Sequence, residues 1–476
     1  MKPESGDAKA VKLWTAIILI LLVLVNSFLP YTNFNEFSAP VTFILATAAT
    51  IVLLIVRPVF AISILYLLML ALTAFIAGIG TEAGGLLTET GVLGEPDGAF
   101  SRLLLFYIVF VAAAFLGFDR TFDEKKSRGL VYPAAIASRK NLYSGIALVC
   151  LIVVAGVGAG ALEGFAFLQG VNRYALRNDS SSLGGLLFST FLNNRMFMAI
   201  FLGILIAAGK GWQRWLAVVL AAVGALLSVL HGEQFMATLQ YCLSVLTPVV
   251  AINVIEQKPV LRYLGFGALV ALLVGGVSVY YAYQAQGFDV DEMVLVRFLL
   301  QGQAWYVVDG DSGFLSAPAL GGIHAFARFL GSLINWSSPS FDDYTHLSGL
   351  RDLMVAYGLP SVMDAYVTDN VTFTMGQMAV PVFWFGMLGG AIFVFFTGYL
   401  LGILCGWQIR FIIRGGVVGL WFVTKVSYYA AFGMQQGEYW NIFGIRMLFF
   451  VTLTVVWCFL FESGAERGKV GWRVRA

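Results

Sequence analysis

Charge is scarce along this chain, and histidine and cysteine are scarcer still. Asp, Glu, Lys and Arg make up 12% of the 476 residues, about half of the ~25% usual in a soluble domain. That excludes an ordinary water-soluble fold. Three histidines and four cysteines leave little material for a metal centre or a disulfide framework. Cys150, Cys242, Cys405 and Cys458 lie in or at the edges of apolar runs without ligand spacing, and read as small core residues. The nearest metal-type grouping is Asp342-Asp343 with His346; neither a metal nor a cofactor is expected. The net charge of +2 is spread among loops and offers no nucleic-acid surface. The cytoplasmic loops leave no room for a nucleotide-binding domain. The nearest phosphate-loop look-alike, Gly203 to Lys210, has one residue too many and is followed by Gly211 where Ser or Thr is required. Gly156, Gly158 and Gly160 sit inside an apolar run and read as close helix packing.

What is abundant is apolar sequence: 59% hydrophobic residues and a mean hydropathy of +0.84. Cutting at the apolar runs gives twelve candidate spans, approximately 12–29, 39–56, 58–80, 101–118, 142–162, 190–209, 213–230, 235–255, 262–284, 378–403, 416–434 and 440–461. Each is near the ~20 residues that cross the hydrocarbon layer, and backbone groups in lipid must be bonded within the segment, so helices are expected. The first lacks a small-residue cleavage site and is kept as a helix. Lysine is missing from one side of this layout. Of the ten, Lys2, Lys9 and Lys12 precede the first span, Lys125, Lys126, Lys140, Lys210 and Lys258 fall in even-to-odd loops, Lys469 follows the twelfth span, and Lys425 lies within the eleventh. Short cytoplasmic loops collect Lys and Arg, which places both termini in the cytoplasm. The expected fold is an all-α polytopic membrane protein of about twelve transmembrane helices with a large, partly helical outer loop. Its parts are 1–284 (nine spans), 285–377 (the outer loop) and 378–476 (three spans and a cytoplasmic tail).

The 285–377 segment is the only one large enough to carry a structure of its own, and long connections in compact proteins are usually functional. Within it, Ile323, Phe326, Ala327, Leu330 and Leu333 follow a helical apolar stripe suited to a helix lying on the membrane.

The outer half, which has no lysine, keeps Arg173, Arg177, Arg297, Arg328 and Arg351, with Arg102, Arg195 and Arg446 just inside spans. Arg195 is placed roughly five residues inside its span, ~8 Å at 1.5 Å per residue. An arginine there is expensive and is normally paired or functional. Guanidinium binds phosphate with two parallel hydrogen bonds, so the set as a whole reads as anion binding. Arg102, one residue into its span, fits helix-end snorkelling or pairing with local acids instead. Arg173 and Arg177 share a face if their loop is helical. Arg297, Gln301 and Trp305 stack along one face, offering a cation for a diphosphate, an amide for a hydroxyl and an indole for a sugar ring; an ordinary amphipathic helix explains the same spacing. His231-Gly232-Glu233-Gln234 is a tight outer turn in which Glu233 could act as a general base beside His231, or could be a solvated turn. Lys425 marks a path through the membrane or pairs with an acid. Other charges at mid-span are few, which disfavours an ion-coupled transporter.

Asn370-Val371-Thr372-Phe373-Thr374, followed by Val382-Phe383-Trp384-Phe385-Gly386-Met387-Leu388-Gly389-Gly390 and a span ending Gly398 to Gly402, resembles the end of the large outer loop in bacterial oligosaccharide repeat-unit polymerases of the Wzy type. Trp384 stands where that pattern carries an acid. Arg173 to Gly184 and Arg297 to Gly313 match the Arg-x10-Gly and Arg-x15-Gly elements of some members. The resemblance implies a GT-C-like, metal-independent glycosyltransferase of the bacterial inner membrane. Its substrate would be an undecaprenyl-diphosphate-linked oligosaccharide, and its partners the bilayer, a chain-length regulator and a repeat-unit flippase. The site residues it implies are Glu233, His231 and Arg195 for catalysis and Arg173, Arg177, Arg297, Gln301, Trp305 and Arg328 for substrate. An O-antigen ligase, another lipid-linked-sugar transferase and a flippase are the alternatives.

Overall fold

Long apolar runs without internal charge satisfy their backbone groups as helices, and the computed structural model is built almost wholly of them. It describes residues 21–32, 34–123, 133–170, 182–233, 235–260, 289–312, 321–336, 347–369, 372–373 and 375–458, with single positions 265, 276, 280, 281, 284 and 460. In chain order the main elements are α1 (Ser38–Val56), α2 (Pro58–Glu82), the short antiparallel strands β1 (Leu86–Leu87) and β2 (Val92–Leu93), α3 (Ala99–Thr121), α4 (Arg139–Glu163), α5 (Leu183–Ala208), α6 (Trp212–Leu230) and α7 (Phe235–Ile255). Then follow α8 (Val290–Asp311), α9 (Gly322–Ile334), α10 (Leu350–Tyr357), α11 (Pro360–Asp369), α12 (Ala379–Arg414), α13 (Val417–Gln436), α14 (Trp440–Phe443) and α15 (Ile445–Trp457). Among the described residues, ten helices are long and apolar enough to cross a membrane. The expected spans at 39–56, 58–80, 101–118, 142–162, 190–209, 213–230, 235–255, 378–403, 416–434 and 440–461 correspond to these. The run 12–29 is described only from Leu21, where an apolar helix continues to Tyr31. The run 262–284 lies almost entirely outside the described residues.

The chain forms two compact units, interleaved in sequence. The first comprises Met1–Gly117, Val290–Gly402 and Ala431–Phe443; the second comprises Phe118–Asp289, Ile403–Ala430 and Gly444–Ala476. The described part of the 285–377 segment therefore does not stand alone. In the first unit α8 packs along α2. The reason is visible in its sequence: Leu300, Ala304, Trp305, Val307 and Val308 are buried, and so are Gln303 and Asp309. Each of those two polar side chains meets a partner brought by a distant segment. Gln303 bonds Glu89 at the tip of the β1–β2 hairpin. Asp309 takes the fork of Arg102, with Nε and Nη2 at 2.9 and 2.5 Å. Arg102 is thus paired with acids, the local Asp97 at 4.0 Å and the distant, buried Asp309 at 2.5 Å, which is the ion-pairing half of the reading its position suggests.

In the second unit α5 is the central helix. Every residue from Arg195 to Leu205 is buried, and α4, α6 and α7 pack around it. The α4 glycines make that packing close. A Cβ on Gly156 would stand 2.9 Å from the Phe191 ring, and one on Gly160 would stand 2.1 Å from Phe165. The helix also starts earlier than its hydropathy suggested. Ser182 accepts the N–H of Gly185 at 2.9 Å and caps it. Arg195 accordingly lies twelve residues from Leu183, about 18 Å along the axis.

Candidate functional site

Each unit holds its own cluster of buried charge. In the second, the turn between α6 and α7 brings Glu233 to Arg195, with Nη1 and Nη2 both 3.3 Å from the same carboxylate oxygen. The side chains keep only 5% and 6% of their surface. Tyr428 of α13 also hydrogen-bonds Arg195. One stripe of α13 continues this contact: Trp421 donates its indole N–H to Asn194 Oδ1 at 2.9 Å, and Lys425 donates to the main-chain carbonyl of Asn193. Residues 421, 425 and 428 are spaced i, i+4, i+7, one face of a helix. The partner of Lys425 is therefore a carbonyl.

The turn is recessed. It lies level with Gly156 and Arg195, since His231 Nε2 is 2.9 Å from the Gly156 carbonyl. Beyond that level α4 runs on to Glu163 and α5 extends back to Leu183, about 10 and 18 Å at helical rise. The carbonyl can only accept, so Nε2 of His231 carries the proton. The ring is enclosed by Phe165, Phe188 and Phe191, with centroids at 5.0, 4.9 and 5.7 Å. His231 thus bonds α4 and fills this aromatic box.

The first unit contains a tighter construction. Arg351 and Asp352 begin α10, and each pairs outward. Arg351 Nη1 is 2.6 Å from Glu438 Oε1, and Arg328 of α9 is 2.5 Å from Asp352 Oδ1. Both carboxylates are buried. Three glycines hold the segments together. A Cβ on Gly349 would meet the Gly437 carbonyl oxygen at 2.6 Å, one on Gly437 the Gly376 oxygen at 2.7 Å, and one on Gly376 the Gln436 oxygen at 2.6 Å. Gly349 and Gly437 also have φ of +65° and +66°, which L side chains rarely adopt. Met375, beside the knot, has a φ of +63°; strained backbone of this kind clusters at functional positions. Tyr439 donates to the Gln377 carbonyl at 2.7 Å and lies against Trp384, centroids 5.7 Å apart. Trp384 is fully buried and stacks on Phe329 at 5.0 Å.

Burial pushes the Glu438 carboxyl up to about 7; the facing Asp352 carboxylate raises it further and Arg351 opposes both. Asp352 is raised by burial, with Arg328 opposing.

Of the sequence-derived set, the structure brings Arg195 and Glu233 into contact and pairs Arg328 with Asp352. Arg297 is exposed on α8. Trp305 is 3% exposed and donates to the Ala99 carbonyl at 2.8 Å. Gln301 bonds the Arg297 carbonyl at 3.2 Å. Eight helical positions turn by about 80°, so Arg297 and Trp305 do not share one binding face. Arg173, Arg177, Asp342, Asp343 and His346 lie outside the described residues. Arg351 belongs to the outer arginine set of the sequence; its pairing with Glu438, and the place of Asp352 beside it, are not legible there. Their one sequence signal is an arginine and an acid adjacent at the start of a helix, and an acid after a glycine in a short turn.

Residues 343–451 match DUF6418, a family of unknown function. That stretch includes the whole glycine knot and the α13 stripe. No curated protein matches the chain, and no solved structure does.

Proposed function

We propose that this chain is a glycosyltransferase of the bacterial inner membrane that polymerises polyprenyl-diphosphate-linked oligosaccharide repeat units on the outer face. It would have a GT-C-like arrangement of about twelve spans and cytoplasmic termini. One observation carries the reading. Four arginine–carboxylate pairs, Arg102–Asp309, Arg195–Glu233, Arg328–Asp352 and Arg351–Glu438, stand on segments that the lysine asymmetry assigns to the outer side. Fixed guanidinium groups in low-dielectric surroundings suit a reaction whose leaving group is a diphosphate, where each donor aimed at developing charge can be worth ~3 kcal/mol. Arg195 supplies the cation nearest the recess, and Glu233 and Tyr428 fix its position. Arg297, exposed on α8, is a further candidate anion ligand by its chemistry, as Arg173 and Arg177 are from the sequence.

The terminal sugar hydroxyl of an incoming lipid-linked unit attacks the anomeric carbon of the growing glycan. The new C–O bond forms, the C–O bond to diphosphate breaks, and its electron pair leaves with the polyprenyl diphosphate. Transfer is metal-independent. A lipid-linked-glycan transporter is the second reading, favoured by the burial of Arg195, Glu233 and Lys425 together.

The test is purified protein in liposomes with a lipid-diphosphate-linked repeat unit and chelator, scored for lengthened glycan. Extension that falls at least tenfold in Arg195→Lys supports the reading, because lysine keeps the charge and loses the two-pronged geometry. Passage of the lipid-linked unit across the bilayer without lengthening would replace it with the transporter.

A further inference from the structure

The proposed transfer releases one proton from the acceptor hydroxyl, and the glycine knot of the first unit is built to receive it. Two carboxylates from segments 86 residues apart, Asp352 and Glu438, are buried in one knot: Arg351, the neighbour of Asp352 in sequence, reaches Glu438 at 2.6 Å, Arg328 reaches Asp352 at 2.5 Å, and the Asp352 charge disfavours the Glu438 carboxylate. Placing two buried acids together costs stability, and a buried ion pair is weak evidence for stability. The backbone is also committed to this arrangement, since three glycines without room for a Cβ set the segments in place. A second observation is independent of the charges. Asp352 Oδ2 is buried without a hydrogen-bond partner among the described residues, and so is the Nε2 of Gln377, the residue after Gly376. Such orphaned groups call for a partner. A sugar hydroxyl, which both donates and accepts, is of the right type.

The knot also stands where a lipid-linked acceptor would arrive. Helix α9 exposes Ile323, Leu330 and Ile334 at 63%, 42% and 75%, a stripe at i, i+7 and i+11. It buries Ala325, Phe329 and Ser332 on its other side. This fits a helix lying in the membrane surface. Arg328, between the two faces, reaches from it to Asp352 and keeps 27% of its side chain accessible.

We propose that Glu438, fixed by Arg351 and set against Asp352, is the proton acceptor of the transfer, and that Asp352 with Arg328 positions the acceptor hydroxyl. This rests on the glycosyltransferase reading and moves the base from Glu233, which holds Arg195. The hydroxyl proton passes to the Glu438 carboxylate as the new glycosidic bond forms, and leaves to water afterwards.

The experiment is the pH profile of chain extension by the full-length protein. The charged groups facing Glu438 are Arg351 and Asp352 of α10, with Arg328 of α9 behind Asp352. Wild type gives a rate that rises with pH through about 7, where Glu438 becomes ionised. Glu438→Gln loses that rise and at least about 100-fold in kcat. Asp352→Asn moves the rise to lower pH, since it removes the charge that disfavours the Glu438 carboxylate. That displacement is one a merely structural residue would not produce, and it stands in for Glu438→Gln if the latter fails to fold. Wild-type rates and an unmoved profile in both variants, or an unmoved profile in Asp352→Asn alone, would overturn the assignment and leave the glycosyltransferase reading intact. A wild type that lengthens no lipid-diphosphate-linked glycan removes that reading, and the assignment with it.

Discussion

Replacing the Arg195–Glu233 pair by hydrocarbon separates what the pair does for folding from what it does for chemistry. Both side chains are almost fully buried and their contacts measure 3.3 Å, longer than the ~2.7–2.9 Å of a strong charge-assisted hydrogen bond. The pair recovers less of its desolvation cost than an ideal one. Glu233→Leu alone strands a guanidinium in the interior, which costs about 3 kcal/mol at the lower end of the usual range for breaking a buried pair. That is roughly a hundredfold in the ratio of folded to unfolded protein. Arg195→Met together with Glu233→Leu removes both charges at similar volume, and such replacements are neutral or stabilising. The expected pattern is a single variant that unfolds early and a double variant as stable as wild type but inactive. Reversible unfolding in mixed micelles measures the first quantity, and chain extension in liposomes the second. A double variant as unstable as Glu233→Leu would show that Tyr428 and the recess need the charges for packing. A stable and active double variant would refute a catalytic role for Arg195.

Labelling of introduced cysteines tests the topology: Ser180→Cys and Ser338→Cys react with an impermeant reagent from outside, and Ser127→Cys only from inside. A reversed pattern at Ser338 would remove the basis for calling the arginines external. Gly437→Ala places a methyl group 2.7 Å from the Gly376 carbonyl oxygen at a φ of +66°. The left-handed conformation alone costs about 1–2 kcal/mol, so the melting temperature falls and extension is lost. Unchanged stability would mean that the three backbones separate without penalty.

The membrane helices were legible because one variable, hydropathy, dominates them, and the lysine asymmetry ordered them without knowledge of any contact. What was illegible depended on partners far away in sequence. Arg102 looked like a helix-end cation because Asp309 is 207 residues on. The spacing of Arg297, Gln301 and Trp305 reads as one face of an amphipathic helix, but the burial of α8 is not legible, because its Gln303 and Asp309 meet Glu89 and Arg102, which sequence distance conceals. Glu438 carries no histidine beside it in sequence, and its partner, Arg351, stands 87 residues earlier. In the same way the contact of Arg195 with Glu233 joins residues 38 positions apart, and that of His231 with the Gly156 carbonyl residues 75 apart.

The interleaving of the two units has a consequence for synthesis. The first unit closes only when Ala431–Phe443 arrives, and Tyr66 waits for Gln435, 369 positions on. At ribosomal speeds of about 5–20 residues per second, that wait is roughly 20–70 s, and Arg102 spends about 10–40 s without Asp309. Early helices must therefore be held apart from competing partners while the ribosome is still translating. A stalled nascent chain ending before residue 300 would lack Gln303 and Asp309, the partners that α8 brings to Glu89 and Arg102, and would be a target for an insertion chaperone or for membrane proteolysis.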